Sequence, residues 1–461
     1  MKIGTTVILP QTDGAREPIR IALTGAKGGY GRTFLAQLAR TPDIVPAVLV
    51  DPDIAGVRTM MAELGADRPL RECAGADELA HAVDAGETAL VAGLDAIDWT
   101  RVDVLVEACG RVPFGAAYAR AALESGTHVV MVSKEVDTVA GPELDALAAE
   151  RGLRYLPGDG DQPANLIRLR EWVDAVGLEI VALGKSGEYD LVFDPATGSV
   201  TQAGESIDAP DLAALLDLGE DLAETLARRA EAVRGLKRSA AADPCEMTVV
   251  AMRTGTAADV EQMRYPVARI DELADIYALR ADGGILESRD VVDVFSALRL
   301  PGEASFAGGV FAIVRTGDPV TWELLRGKGH VVSRDGRYAC IYWPYHLMGV
   351  ETPLTVRAAM AGAPAPAARA DVLLAARATE DLPAGTTFAV AGHHHEIAGV
   401  APAMIPPRDG VSAYYLLDGA RTTRPVARGE LIRFADVEGV DALSLELHRA
   451  GLARTADDRT E

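Results

Sequence analysis

The stretch Ile19-Arg20-Ile21-Ala22-Leu23-Thr24-Gly25-Ala26-Lys27-Gly28-Gly29-Tyr30-Gly31 decides how the chain is read. An apolar run enters a turn with glycines at 25, 28 and 31, and a helix-like run (Thr33, Phe34, Leu35, Leu38) follows. That order predicts a strand, a tight turn and a helix N-terminus. There, free backbone N–H groups and the helix dipole favour an anion, and glycine lets the main chain approach a pyrophosphate with no side chain between. Gly25, Lys27, Gly28, Gly29, Tyr30 and Gly31 are therefore candidate dinucleotide-binding residues. Pro46-Ala47-Val48-Leu49-Val50-Asp51 reads as a second strand ending in an acid, and Asp51 follows Gly31 by twenty residues. A carboxylate there accepts hydrogen bonds from the adenosine ribose. By itself it repels a 2′-phosphate and favours NAD, while Arg32 and Arg58 nearby keep NADP open. The alternative for Asp51 is a helix N-cap.

Downstream, apolar runs alternate with helix-like segments: Ala89-Leu90-Val91-Ala92, Val102 to Gly110, 114–123, Thr127-His128-Val129-Val130-Met131-Val132, 142–149 and Arg154-Tyr155-Leu156-Pro157. This alternation predicts a doubly wound parallel sheet, with ligands beyond the strands' carboxyl ends. Gly25, Asp51, Cys109, Gly110, Ser133 and Lys134 should then face one crevice. An ammonium at Lys134 would hold a substrate anion or polarise a carbonyl. The competing reading pairs it at the surface with Glu135 or Asp137.

Composition bounds the rest. A chain of 461 residues exceeds one ordinary core, so two or three domains are expected. No apolar run reaches membrane-spanning length, and residues 1–18 lack the pattern of a signal peptide. Cys73, Cys109, Cys245 and Cys340 lie far apart without a CxxC pair, which favours a reducing, cytoplasmic setting and disfavours a structural zinc. A formal net charge of −23 disfavours nonspecific nucleic-acid binding.

Two polar clusters follow. Pro157-Gly158-Asp159-Gly160-Asp161-Gln162-Pro163-Ala164-Asn165 is a loop leading into a helix start. Its carboxylates, amide and freed N–H groups suit a polyol, a divalent cation or acid–base work; Asp161 or Asn165 as a helix cap is the alternative. Gly184-Lys185-Ser186-Gly187-Glu188-Tyr189-Asp190 follows a strand-like run. Lys185 there suits a phosphate or enolate and Tyr189 a proton donor, against a plain turn with a solvated lysine.

The glycine turn, Leu105-Val106-Glu107-Ala108-Cys109-Gly110 and Val130-Met131-Val132-Ser133-Lys134 resemble the dinucleotide domain of homoserine-dehydrogenase-type oxidoreductases. In that family Asn usually precedes the lysine, where this chain has Ser133. The 157–167 and 184–190 stretches, Pro301-Gly302-Glu303-Ala304-Ser305-Phe306-Ala307-Gly308-Gly309 and Arg326-Gly327-Lys328-Gly329-His330-Val331-Val332-Ser333-Arg334 resemble the deoxyxylulose-phosphate reductoisomerase-like branch. The resemblance implies a dimeric NAD(P)H-dependent enzyme that rearranges 1-deoxy-D-xylulose 5-phosphate and reduces it to 2-C-methyl-D-erythritol 4-phosphate. For such chemistry Asp159 or Asp161 would move the proton, and Lys134 and Lys185 would steady the oxyanion. Arg269, His330 or Arg334 would grip the phosphate, with Gln162, Asn165 and Tyr189 lining the substrate. A dehydrogenase of the same branch with another hydroxy-carbonyl substrate, and a non-catalytic cofactor sensor, are the alternatives. A divalent metal is compatible, but no metal motif is evident.

The remainder is read more coarsely. Residues 209–236 have leucines at helical spacing, expected in a core or a dimer seam. Cys245-Glu246-Met247 carries no legible motif, and Asp293 reads as structural. A hairpin is expected to turn at Asp335-Gly336, and His346 shares the catalytic or lining expectation with His330. The Pro/Ala stretch 361–367 reads as a connection. Beyond it, 371–386 and Arg424-Pro425-Val426-Ala427-Arg428-Gly429-Glu430-Leu431-Ile432 resemble the two halves of a SAF-type module. His393-His394-His395 suggests a metal site, but adjacent histidines in a strand or loop point different ways. The expected architecture is thus α/β: a Rossmann-type dinucleotide domain (1–157), an α+β catalytic and dimerisation domain (158–360) and a small β-rich C-terminal domain (361–461).

Overall fold

The computed structural model describes residues 17–458. The segment read for a signal peptide lies outside the described residues except for its last two.

The first layer is β1 (Ile19–Thr24), α1 (Gly29–Leu38), β2 (Ile44–Val50), α2 (Ile54–Glu63), β3 (Leu70–Glu72), α3 (Ala76–Asp84), β4 (Thr88–Val91), β5 (Val104–Glu107), α4 (Val112–Glu124), β6 (His128–Met131), α5 (Lys134–Glu150) and β7 (Tyr155–Pro157). The strands form a parallel sheet in the order β3-β4-β2-β1-β5-β6-β7. Chain direction across the sheet reverses between β1 and β5, which places the ligand crevice above their carboxyl ends. β4, β5 and most of β1 and β6 are buried on both faces, which explains their unbroken apolar runs. The helix expected over 142–149 is longer: α5 begins at Lys134 and carries Pro142 inside it. Pro142 packs against Gly451, so tertiary contact overrides its local preference for a helix start.

The second layer begins with α6 (Gln162–Ala175), β8 (Glu179–Ser186), β9 (Leu191–Asp194), β10 (Ser199–Gln202), β11 (Glu205–Asp208), α7 (Leu222–Ala232) and α8 (Ala242–Thr254). It continues through β12 (Ala257–Ala258), β13 (Val267–Ala268), α9 (Leu273–Ile276), β14 (Val291–Arg299), β15 (Val310–Arg315), α10 (Pro319–Arg326), β16 (Val331–Val332), β17 (Tyr338–Trp343) and α11 (Thr352–Met360). The sheet is mixed. β8 lies at its centre, parallel to β14 and antiparallel to β15. The leucine-rich 209–236 stretch is a 3-10 turn (Pro210–Leu215) followed by α7. It breaks where Gly219 adopts φ +64° and Asp221 caps the next helix through the Glu224 amide.

A β-rich C-terminal unit holds β18 (Leu373–Ala378), β19 (Val390–Ala391), β20 (Glu396–Ile397), β21 (Val400–Ile405), β22 (Arg421–Thr422) and β23 (Val437–Glu438). It packs on α8 through β18 and β21. Arg111 pairs with Asp418 at 3.0 Å, tying it to the first layer. The last helix, α12 (Ala442–Asp458), returns to α4 and α5, where Arg454 pairs with Glu143 and Glu150. No described helix is long and apolar enough to cross a membrane.

Candidate active site

The glycine turn has the geometry a dinucleotide needs. Gly25 has φ +62°, and a Cβ there would lie 2.4 Å from the Ala108 carbonyl oxygen. A Cβ on Gly31 would lie 2.3 Å from the Ala26 oxygen, and around Gly29 the space is open. The turn therefore closes on main chain alone and leaves the N-terminus of α1 accessible to a pyrophosphate. Gly28 is the N-cap, and its own N–H donates to the Gly25 oxygen. Asp51 directly follows β2 and accepts from the Lys27 and Asp53 amides at 3.1 and 2.9 Å. The cap of α2 is Asp53, which also pairs with Lys27. Tyr30 instead ties α1 to Thr352 at the start of α11, and burial pushes its phenol pKa up.

On the other side of the switch point, the buried Glu107 accepts from Thr24 Oγ1 at 3.1 Å and from the Cys109 amide at 3.0 Å. Burial raises its pKa above the usual carboxylate range. Burial likewise pushes the Cys109 thiol up. The Gly110 amide donates to Ser133 Oγ at 2.8 Å. These bonds pin the ends of β1, β5 and β6 together.

Lys134 opens α5 and sends its ammonium to Glu246 Oε1 on α8. It pairs with neither of the sequence neighbours expected to hold it at the surface. Glu135 accepts from His395, and Asp137 from the Tyr155 hydroxyl at 3.0 Å. Burial opposes the Lys134 charge, but Glu246, Asp161 and Glu135 outweigh it and hold its pKa well above the ordinary lysine value. Lys185 does not lie in a turn. It sits within β8, 1% exposed, with Asp243 Oδ1 at 2.7 Å and Glu246 Oε2 as its second partner. Asp243 Oδ2 accepts from the Tyr265 hydroxyl at 3.1 Å. Burial raises the Glu246 carboxyl, yet the two lysines overcome it and bring the pKa down to about 2.

The two aspartates of the 157–165 loop separate. Asp159 is engaged: Arg168 donates to Oδ1 at 3.0 Å and Thr355 to Oδ2 at 2.8 Å, while its own amide donates to Thr355 Oγ1. It locks the loop to α6 and α11. Asp161 occupies the N-cap position of α6 but makes no side-chain capping bond. Burial, reinforced by Glu246, raises its pKa against the opposing pull of Lys134 and His346. Asn165 is buried and accepts from the Gly160 amide. Beside Asp161, Gln162 Oε1 and His346 Nδ1 are buried atoms without a hydrogen-bond partner among the described residues. The His346 ring covers Gly308, where a Cβ would lie 2.1 Å from its Cδ2, and Gln162 Nε2 lies against the same glycine.

Other expected substrate residues stand apart from this cluster. Arg269 pairs with Glu303 at 2.8 Å. The Arg334 amide donates to Asp275 at 2.8 Å, and its guanidinium donates to the Gly219 carbonyl. His330 is exposed after α10. Tyr189 is exposed and meets His394 edge-on. Residues that sequence reasoning missed include Asp243 and Glu246, three apart on a buried helix whose other side chains are mostly apolar. Two acids in such a helix require cations, which was the available signal. Arg238 was also missed. It is half-buried, its guanidinium donates to the Tyr265 carbonyl at 2.7 Å, and burial alone lowers its pKa. Among the described residues no group of three or more His, Cys, Asp or Glu is arranged to hold a metal ion.

Two family models match the chain. Residues 27–157 match the homoserine dehydrogenase, NAD binding domain, and residues 235–352 match the oxidoreductase DRL, catalytic domain. With the fold and the glycine turn, these matches mark a dinucleotide-binding domain followed by an oxidoreductase-type catalytic region. No curated protein matches. Among solved structures, UDP-N-acetylglucosamine 3-dehydrogenase GnnA from Acidithiobacillus ferrooxidans is 16% identical with a TM-score of 0.37, over 75% of this chain and 90% of that one. The 1-deoxy-D-xylulose 5-phosphate reductoisomerase from Zymomonas mobilis in complex with NADPH is 19% identical with a TM-score of 0.27, over 37% and 46%. An oxidoreductase domain protein from Kribbella flavida is 20% identical with a TM-score of 0.27, over 38% and 44%. The chain spans less than half the length of the last two.

Proposed function

We propose that the protein is an NAD(P)H-dependent reductoisomerase that converts 1-deoxy-D-xylulose 5-phosphate to 2-C-methyl-D-erythritol 4-phosphate. The supporting observation is a set of polar atoms that no side-chain hydrogen bond engages among the described residues. These are the Asp161 carboxyl beside Lys134, and the unpartnered Gln162 Oε1 and His346 Nδ1. A ketol rearrangement followed by reduction needs a group that moves a hydroxyl proton and a cation where an oxygen turns anionic. Asp161 takes the first role at its carboxylate and Lys134 Nζ the second, oriented by Glu246. Gln162 and His346 receive substrate hydroxyls, and Arg238 receives the phosphate. When bound, the nicotinamide supplies the hydride. Gly25 to Gly31, Asp51, Cys109, Gly110 and Ser133 would hold that cofactor. Lys27 and Arg32 are engaged with Asp53 and Glu63, while Arg58 donates only to the Leu70 carbonyl, so a cation for a 2′-phosphate is present and the site suits NADH or NADPH. We further read the C-terminal unit as SAF-like and the assembly as a homodimer.

One observation favours a second reading. The expected phosphate ligands Arg269 and Arg334 are engaged elsewhere, by Glu303 and by the Gly219 carbonyl. That suits a dehydrogenase reducing another small hydroxy-carbonyl compound without rearrangement. The test is incubation with deoxyxylulose phosphate and reduced cofactor, following cofactor absorbance and identifying the carbon skeleton of the product by NMR. A branched product supports the reductoisomerase and an unrearranged polyol the dehydrogenase. Saturable cofactor binding without turnover of any hydroxy-carbonyl compound tried would make the chain a cofactor sensor.

A further inference from the structure

The 392–395 turn between β19 and β20 reaches from the C-terminal unit across the crevice. On the catalytic side His393 Nε2 lies 2.7 Å and His394 Nδ1 3.1 Å from the two oxygens of Glu188, and Glu396 pairs with Lys237. On the dinucleotide side His395 Nδ1 lies 2.6 Å from Glu135 Oε1. The His395 ring lies over Gly110: a Cβ on that glycine would be 3.1 Å from Cε1 and 3.8 Å from Nε2. Gly110 closes the turn after β5, and Glu135 follows Lys134 directly. His395 is thus inserted where the cofactor side of the crevice meets the substrate side. It adopts φ +52°, a left-handed conformation that a non-glycine residue keeps only when its surroundings impose it.

We propose that His395 and Glu135 form the acid–base pair of the reduction step, so that the C-terminal unit contributes a catalytic residue. The proposal rests on the reductase reading of the crevice but not on the identity of the substrate. Glu135 accepts the Nδ1 hydrogen and fixes the ring, which leaves Nε2 for the substrate; among the described residues Nε2 makes no hydrogen bond. As the carbonyl carbon gains the hydride and the C=O π bond breaks, the oxygen takes the proton from Nε2 of the imidazolium. A C–H and an O–H bond form, the cofactor is left oxidised as NAD(P)⁺, and His395 is left neutral. Water then returns a proton to Nε2.

The pair can be tested on the full chain without knowing the substrate. Diethylpyrocarbonate modification of each histidine is followed by peptide mass spectrometry with and without saturating NADH. His395 is expected to lose reactivity when NADH is bound, while His393, whose side chain is 71% exposed, keeps it as an internal control. Equal modification of His395 in both conditions overturns the proposal. A kinetic arm uses His395→Gly, which suits the positive φ. With deoxyxylulose phosphate, kcat should fall about 10²-fold with NADH affinity retained, and added imidazole should restore part of it. An unchanged kcat also overturns the pair. If deoxyxylulose phosphate is not turned over at all, the proposed function falls and the protection assay alone decides the pair.

Discussion

Lys134 and Lys185 take opposite oxygens of a single buried carboxylate, that of Glu246. The pairing joins the dinucleotide layer to the central strand of the mixed sheet through one residue of α8. Removing one member of a buried ion pair leaves an uncompensated charge and costs about 3–5 kcal/mol. Glu246→Gln should therefore lower the melting temperature markedly, with a defined pH signature. The Glu246 carboxyl titrates near pH 2 in the folded chain, below its ordinary value. Its contribution is present above the unfolded pKa and is lost as pH falls through the folded one. The difference in melting temperature between wild type and variant should be constant above about pH 5 and shrink below about pH 4. A difference that does not shrink would show that the folded chain does not rely on the ionised carboxylate.

The two lysines should respond differently to the same substitution. Lys185 is enclosed by Asp243 and Glu246, whereas Lys134 has one direct carboxylate partner and a side chain 21% exposed to the crevice. Lys134→Met is expected to cut kcat by about 10²–10³, the effect of losing a cation at a developing oxyanion, and to lower the melting temperature less than Lys185→Met does, because Glu246 keeps Lys185 as a partner. Lys185→Met should act mainly on stability, because it strands two buried acids. Thermal melts and turnover of the folded fraction separate the two. Equal losses of kcat at unchanged stability would assign Lys185 to the chemistry as well.

Asp161→Asn should reduce activity and yet stabilise the fold near neutral pH. Burial and Glu246 raise the Asp161 pKa, so its charged form is disfavoured in the folded chain. A raised folded pKa contributes stability below the unfolded value that is lost as pH rises through the folded one. A neutral amide removes that loss. The variant should melt above wild type at pH 7 and together with it below about pH 4, while kcat falls by about 10²-fold or more. A variant less stable than wild type at pH 7 would mean that Lys134 holds Asp161 as a structural pair.

What the sequence revealed depended on how local the cause was. The β1 turn was legible because glycine freedom and strand–turn–helix order act within a dozen residues. Lys185 read as a turn residue because Gly184 and Gly187 flank it. In the structure that backbone is held as strand by β14 and β15, which arrive more than a hundred residues later. Gly184 serves close packing instead, since a Cβ there would meet the Phe311 ring at 2.4 Å. Asp243 and Glu246 stand out in the sequence only as two acids in a largely apolar helix; which cations answer them is not local, since Lys185 and Lys134 lie on other elements, 58 and 112 residues upstream. The 393–395 histidines were read as pointing different ways. Two of them take Glu188 and the third takes Glu135, a division that only the approach of the C-terminal unit reveals.

Arg238 offers the remaining test of the substrate's charge. The expected phosphate ligands Arg269 and Arg334 are engaged by Glu303 and by the Gly219 carbonyl, while Arg238 donates to the Tyr265 carbonyl and forms no ion pair among the described residues. Its main-chain oxygen lies 3.9 Å from the Cβ position of Gly187, at the end of the strand that carries Lys185. A half-buried guanidinium without a carboxylate partner gains most from an incoming anion. Arg238→Ala should raise KM for a phosphorylated ketose by about 10-fold or more, the scale of one charge-assisted hydrogen bond, and leave NADH affinity unchanged. Arg238→Lys should recover only part of it, because a bidentate fork becomes a point charge. Steady-state kinetics on phosphorylated and unphosphorylated ketoses decide the matter. An Arg238→Ala effect of equal size on both substrates would place the phosphate elsewhere and return Arg238 to a purely structural role beneath Tyr265.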